Sequence, residues 1–224
     1  CIENGFVTFG SFNRLNKINR EVIALWSGVL RAVPGSRLQM AGMPANGAPE
    51  ELLQWFAAEG IAEDRLIFYP RSGFSEYLKL HNQVDFCLDT FPYTGGTTTL
   101  HALWMGVPTL TIGGHAYPSY QGALMLHQVG LEDYFVANNK EDFIIKALFL
   151  VKNQIFLQDA RFKLRNYLVD GYSASLKAVV DSFSLAFQMT WQGWCEGEKP
   201  RSIRIDNSDI NFDPCFVNYS DVIQ

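Results

Sequence analysis

The stretch FPYTGGTTTLHALWMGVPTL, residues 91–110, decides how the rest of the chain is read. It follows VDFCLDT, residues 84–90, an apolar run of strand length. Leu100, Leu103 and Trp104 then recur at helical spacing, and GVPTLTIGG reads as a further strand. The order is strand, glycine-threonine turn, helix, strand. In a parallel α/β sheet such a turn lies at the carboxyl end of a strand, where these folds bind ligands. Glycines let the backbone approach a ligand closely, and threonines opening a helix set hydroxyls beside free N–H groups. Gly95, Gly96, Thr97 and Thr98 are therefore expected to cradle a phosphate.

The same alternation extends on both sides. GFVTFGSF (5–12), SRLQMAG (36–42) and DRLIFYP (64–70) read as strands, and DYFVA (133–137) as a short one. Helices are expected over residues 18–34, with Val22, Leu25, Trp26, Val29 and Leu30 on one face, and over residues 48–60, ending at Gly60. Further helices are read in GFSEYLKLHNQ, with Ser75 as N-cap, in SYQGALMLHQVG and in KEDFIIKALFLVKN. Beyond these the strand pattern stops. QIFLQDARFKLRNYLVD and SASLKAVVDSFSLAFQMTWQGW read as two helices. The second carries an apolar stripe of Leu176, Val179, Val180, Phe183, Phe187, Trp191 and Trp194, either a core face or a face for a missing neighbour. From Glu196 the chain reads as a polar, loop-like tail. The expected architecture is a doubly wound, mostly parallel α/β sheet over residues 1–153, C-terminal helices over 154–197 that pack on this domain or on an absent partner, and a tail over 198–224.

With 224 residues, 48% hydrophobic and 18% charged, the chain is globular rather than disordered. A net charge of −5 argues against a general nucleic-acid binder but leaves room for a local anion site. No apolar run approaches the roughly 20 residues of a membrane span, and no signal peptide is expected from the residues read. Cys1, Cys87, Cys195 and Cys215 show no metal-ligand spacing, so a reducing, cytoplasmic setting is expected. Cys87, inside an apolar run, reads as a small buried hydrophobe. Numbering begins at Cys1 rather than a methionine, consistent with a piece of a larger protein.

Neither a dinucleotide-binding GxGxxG nor a P-loop GxxxxGK[ST] is present, and HExxH and GxSxG are absent too. His81, His101, His115 and His127 form no metal grouping in sequence. The remaining cationic candidates are Arg14 and Lys17 in FGSFNRLNKIN, a strand-end loop opening onto a helix. A cation there reaches an anion held at the same sheet edge as the glycine-threonine turn; the plainer reading is a solvated lysine. Asp89, at a strand end, caps the turn, and His101, one helical turn past the threonines, is a polar surface histidine on the same plain reading.

FGSFNRLNKI, DFCLDTFPYTGGTTTLHALWMGVPTLT and YQGALMLHQVGLEDYFVA together resemble the C-terminal catalytic half of the protein O-GlcNAc transferase family, including its bacterial and SPINDLY-like members. The resemblance runs from about Gly5 to Trp194, and the PYxGGTTT…LWMGVP block is its most specific part. It implies the nucleotide-sugar half of a two-Rossmann-domain (GT-B) glycosyltransferase, with tetratricopeptide repeats and a second Rossmann-like domain preceding it. It also implies a UDP-sugar donor, UDP-GlcNAc first, no metal or other cofactor, and inverting transfer to Ser or Thr hydroxyls of a protein acceptor. On this resemblance Lys17 is the donor-diphosphate lysine, with Arg14 where some members have glutamine. Ser72 and Tyr77 fall near the uridine contacts. Gly96, Thr97 and Thr98 stand where animal members have a histidine and two threonines, and His101 replaces the acidic ribose partner. Many members have a serine-arginine pair where this chain has Ser119 and Tyr120. These departures leave two alternatives: a decayed nucleotide-binding or interaction module, and a GT-B enzyme with a glycan acceptor.

Overall fold

The structure, a computed structural model, describes residues 5–197. Six strands form one parallel sheet in the order β3-β2-β1-β4-β5-β6. They are β1 (Thr8–Ser11), β2 (Arg37–Met43), β3 (Leu66–Pro70), β4 (Phe86–Leu88), β5 (Thr109–Ile112) and β6 (Val136–Ala137). The strand order reverses between β1 and β4, whose registers pair Phe9 with Phe86 and Gly10 with Cys87. That reversal opens a crevice beyond the carboxyl ends of the two strands. The central strands are buried along their whole length, as expected where helices cover both faces.

The connecting helices are α1 (Arg20–Ala32), α2 (Glu50–Ala58), α3 (Phe74–Leu80), α4 (Thr97–Trp104), α5 (Tyr117–Gln128), α6 (Glu132–Phe135) and α7 (Lys140–Lys152). Asn19 caps α1 by accepting from the Val22 amide at 3.0 Å, and the predicted α1 face is buried. Gly60 (φ +74°) ends the α2 region, and Gly106 (φ +72°) turns the chain after α4, where a side chain would meet the Arg161 carbonyl at 2.9 Å.

Three local expectations change. Ser75 is not the cap of α3: the helix starts at Phe74 behind Gly73, with no side-chain cap. DYFVA is mostly helical, because the acidic pair Glu132 and Asp133 opens α6; only Val136 and Ala137 remain in β6. The two C-terminal helices are a single helix, α8 (Gln154–Cys195). One glycine in a long helix costs about 1 kcal/mol, too little to break it.

The chain divides into two compact units at Leu168 and Val169. In the first, Leu157, Ala160, Leu164 and Leu168 of α8 are buried in the core. In the second, Val180, Phe183, Phe187, Trp191 and Trp194 recur at three- and four-residue steps and are all exposed. Val179 is exposed as well. The Leu176 side chain and the tail from residue 198 lie outside what is described. Among the described residues no helix is long and apolar enough to cross a membrane.

Candidate functional site

Two loops meet at the β1–β4 reversal. The first leaves β1 through Asn13 and Arg14 into a short 3-10 turn, Leu15–Lys17. The second leaves β4 through Asp89 and runs to Gly96, where α4 begins. Lys17 Nζ donates to the Thr94 carbonyl at 2.8 Å, across 77 residues of sequence, and sits 3.9 Å above the centre of the Tyr93 ring. Lys17 thus adjoins the turn, and Arg14 is exposed on the same loop. Partial burial pushes the Lys17 ammonium below its ordinary pKa; Asp89 opposes that shift and Arg14 adds to it.

Helix α4 starts at Thr97, as the sequence predicts, and its first internal bond runs from the Leu100 amide to the Gly96 carbonyl at 3.0 Å. The amides of Thr97, Thr98 and Thr99 therefore have no acceptor within the helix. Thr97 is exposed. Two groups expected to face phosphate are engaged elsewhere. The Gly95 amide donates to Asp89 Oδ1 at 2.8 Å, and the Thr98 hydroxyl donates to Asn13 Oδ1 at 2.9 Å. The glycines differ in purpose. A side chain on Gly95 would strike Thr99 Oγ1 at 2.3 Å and Asp89 Oδ1 at 3.1 Å; on Gly96 it would meet only the end of Gln121, at 2.8 Å.

Tyr77 and His101 come together at the other end of α4. The Tyr77 hydroxyl lies 3.3 Å from His101 Nδ1, and the two rings meet edge to face. Phe74, 63% exposed, packs against both. Burial raises the Tyr77 hydroxyl pKa well above its usual range and lowers that of His101. Ser72 lies on the exposed loop between β3 and α3, two residues before Phe74.

Sequence reading placed Asp89 as the cap of the turn, which its bonds to the Thr90 and Gly95 amides bear out, but missed Thr94 and Asn13, which bind the loops together with it. Thr94 is fully buried; its amide and hydroxyl donate to the Pro118 carbonyl at 3.0 and 3.1 Å, and its hydroxyl accepts from the Gly122 amide of α5 at 3.2 Å. Asn13 and Asp89 join β1 to β4 through a 3.0 Å bond. Their strand-end positions were the available signal. Among the described residues, no three or more His, Cys, Asp or Glu side chains are grouped to hold a metal.

The model for glycosyl transferase family 41 matches residues 2–178, most of the chain. The chain belongs to glycosyl transferase family 41. Its relatives in that family include a protein of Oryza sativa subsp. japonica named as a probable UDP-N-acetylglucosamine–peptide N-acetylglucosaminyltransferase SPINDLY, 32% identical over 97% of this chain and 24% of that protein. An Arabidopsis thaliana protein named as a probable transferase of the same kind, SEC, is 27% identical over 94% of this chain and 21% of its own length. Among solved structures, a mutant of the Thermobaculum terrenum O-GlcNAc transferase superposes with a TM-score of 0.74 at 31% identity, covering 87% of this chain and 38% of that one. Anabaena HepE, solved with UDP and glucose, shares the fold, with a TM-score of 0.51 at 16% identity over 76% of this chain and 44% of that one. This family 41 chain thus has the parallel Rossmann-like sheet of a GT-B half, and it spans 24% of the length of its rice relative.

Proposed function

We propose that this chain is the donor half of a protein glycosyltransferase that uses a UDP-sugar, UDP-GlcNAc first, for inverting transfer to Ser or Thr hydroxyls. The observation that carries the reading is the meeting of Lys17 with the glycine-threonine turn, 2.8 Å from the carbonyl of Thr94. A cation, free helix amides and a glycine without a blocking side chain face one crevice at the sheet's reversal point. In the reaction the acceptor hydroxyl attacks C1 of the sugar, the C1–O bond to the diphosphate breaks with its electron pair leaving on UDP, and the hydroxyl proton passes to the departing diphosphate or to solvent. UDP leaves with growing negative charge. Lys17 and the Gly96, Thr97 and Thr98 amides receive that charge, with no metal in the scheme. Thr97 offers a free hydroxyl, Arg14 adds positive potential at the rim, and Tyr77 and His101 hold the nucleoside. Ser72 joins them only from its loop. The acceptor and the rest of the active site come from the region that the longer relatives carry beyond this chain's span.

Calorimetry with UDP and a panel of UDP- and GDP-sugars on the intact protein tests this. Lys17→Ala should weaken UDP binding by roughly 10- to 150-fold, the loss of one charge-assisted contact, and abolish transfer. Unchanged affinity would remove Lys17 from the site. A second reading, donor binding without transfer, is favoured by two departures at the site: Gly96 where animal members have a histidine, and His101 in place of the acidic ribose partner. UDP binding with no turnover in the intact protein would select it.

A further inference from the structure

Asp89 is 2% exposed, yet every hydrogen bond its carboxylate makes is with a donor. Oδ1 accepts from Asn13 Nδ2 at 3.0 Å, from the Thr90 amide at 2.8 Å and from the Gly95 amide at 2.8 Å; Oδ2 accepts from the Thr111 hydroxyl at 2.8 Å. Burial raises its pKa, while the donors favour the ionised form. On Oδ1 a proton would face three N–H donors and no acceptor; only the Thr111 hydroxyl, beside Oδ2, could take one, by giving up the bond it now donates. The neighbours also leave it no room to move. A side chain on Gly122 would come within 2.8 Å of Oδ2. The Trp26 indole fixes the backbone behind it by donating to the Asp89 carbonyl at 3.0 Å.

The partners come from three adjacent strand ends. Asn13 follows β1, Asp89 and Gly95 follow β4, and Thr111 lies in β5. Asn13 is itself buried, and its other end accepts from Thr98. One carboxylate therefore holds the Gly95 end of the turn directly and the Thr98 end through Asn13.

We propose that Asp89 and Asn13 form a positioning pair that sets the glycine-threonine turn and the lysine loop in the register a donor diphosphate requires. The inference rests on the functional reading above. A hub that merely stapled the fold would, when weakened, lower affinity for every part of the nucleotide alike. A positioning pair acts on the diphosphate and spares the nucleoside end, where Phe74, Tyr77 and His101 make no bond to it.

The test measures UDP and uridine binding to the intact protein carrying Asp89→Asn or Asn13→Ala. UDP affinity should fall by about tenfold or more in either variant, as expected for displaced charge-assisted contacts, while uridine affinity stays within about twofold. Proportional losses for both ligands, or no loss for UDP, would overturn the proposal. Should Asp89→Asn fail to fold, Asn13→Ala, which leaves Asp89 its other donors, carries the test. A ligand-free measurement reads the other loop: the rate of Lys17 acylation against pH. Arg14 on the same turn and Asp89 at the end of β4 are the charged groups acting on Lys17, and the Tyr93 ring covers it. Without the Asp89 charge, Lys17 should reach half-maximal reactivity at lower pH; an unchanged profile would show that Asp89 does not govern the lysine loop. Wild-type protein that ignores UDP overturns the functional reading, whereas wild-type binding matched by both variants overturns the pair alone.

Discussion

His81 shows how a single buried side chain makes the fold depend on pH. It is fully buried and stacked on Phe12 with ring centres 3.7 Å apart. Its Nδ1 lies 3.2 Å from the carbonyls of Tyr77 and Leu78, which only an N–H can satisfy, so the proton sits there. Nε2 is buried without a partner, and a second proton would be placed on it. Burial accordingly lowers the His81 pKa to about 4, against about 6.5 for a free imidazole. Below about pH 6.5 the unfolded chain takes up a proton that the folded chain refuses. Stability should thus be fully present above that pH and fall as pH drops toward 4, by on the order of 3 kcal/mol. Denaturant midpoints at pH 7 and pH 4.5 measure this, and His81→Gln should flatten the difference; an equally steep loss in that variant would clear His81. None of this was legible in the sequence, where His81 is one histidine among four. Lys17 was legible because its loop joins a strand end to a helix. Asn13 was not, since a buried amide and a solvated one look alike until their partners are known.

At the scale of the element, the turn into α4 was readable in outline and its internal economy was not. Glycine and threonine mark a turn with free amides, and the helix begins where they say. Which amides stay free depends on Asp89: its strand-end position marks it as a cap of the turn, but not that it takes the Gly95 amide. The two glycines separate the structural from the functional requirement. Gly95→Ala should cost about 1–3 kcal/mol, because a methyl would be driven into Thr99 and Asp89 within a packed site. Gly96→Ala should cost roughly 0.5 kcal/mol or less, since only the flexible end of Gln121 must give way. Gly96→Val should keep that stability and lose UDP binding. Thermal melts and UDP titrations on the same variants check both; equal melting losses at the two positions would break the distinction. The α8 boundary escaped the sequence for a simpler reason: a Gly-Tyr interruption resembles a loop, but one glycine in a long helix costs only about 1 kcal/mol.

For the whole molecule, β/α alternation was enough to predict the parallel sheet, because strands buried on both faces must read as apolar runs between amphipathic helices. The strand order was beyond it: no residue announces that β4 will lie beside β1. The position of the site depends on that order. On the proposed reading, a chain spanning 24% of its rice relative supplies one wall of a crevice that a GT-B enzyme closes with two. The isolated chain should therefore fold and bind UDP without transferring sugar, as followed by a donor-turnover assay; robust transfer by these 224 residues alone would sink the view.

The pairing of β1 with β4 also sets a timetable. On the ribosome, Lys17 emerges 77 residues before the carbonyl that will hold it. The nascent chain can join β1, β2 and β3 early, leaving the far edge of β1 open until β4 arrives. Closing so long a loop adds little to the equilibrium cost, which grows only with the logarithm of length, but non-local pairing slows folding. A ligand that needs both loops finds nothing to grip before that step. Added during refolding, it should raise the yield of finished protein and leave the rate of the early steps unchanged.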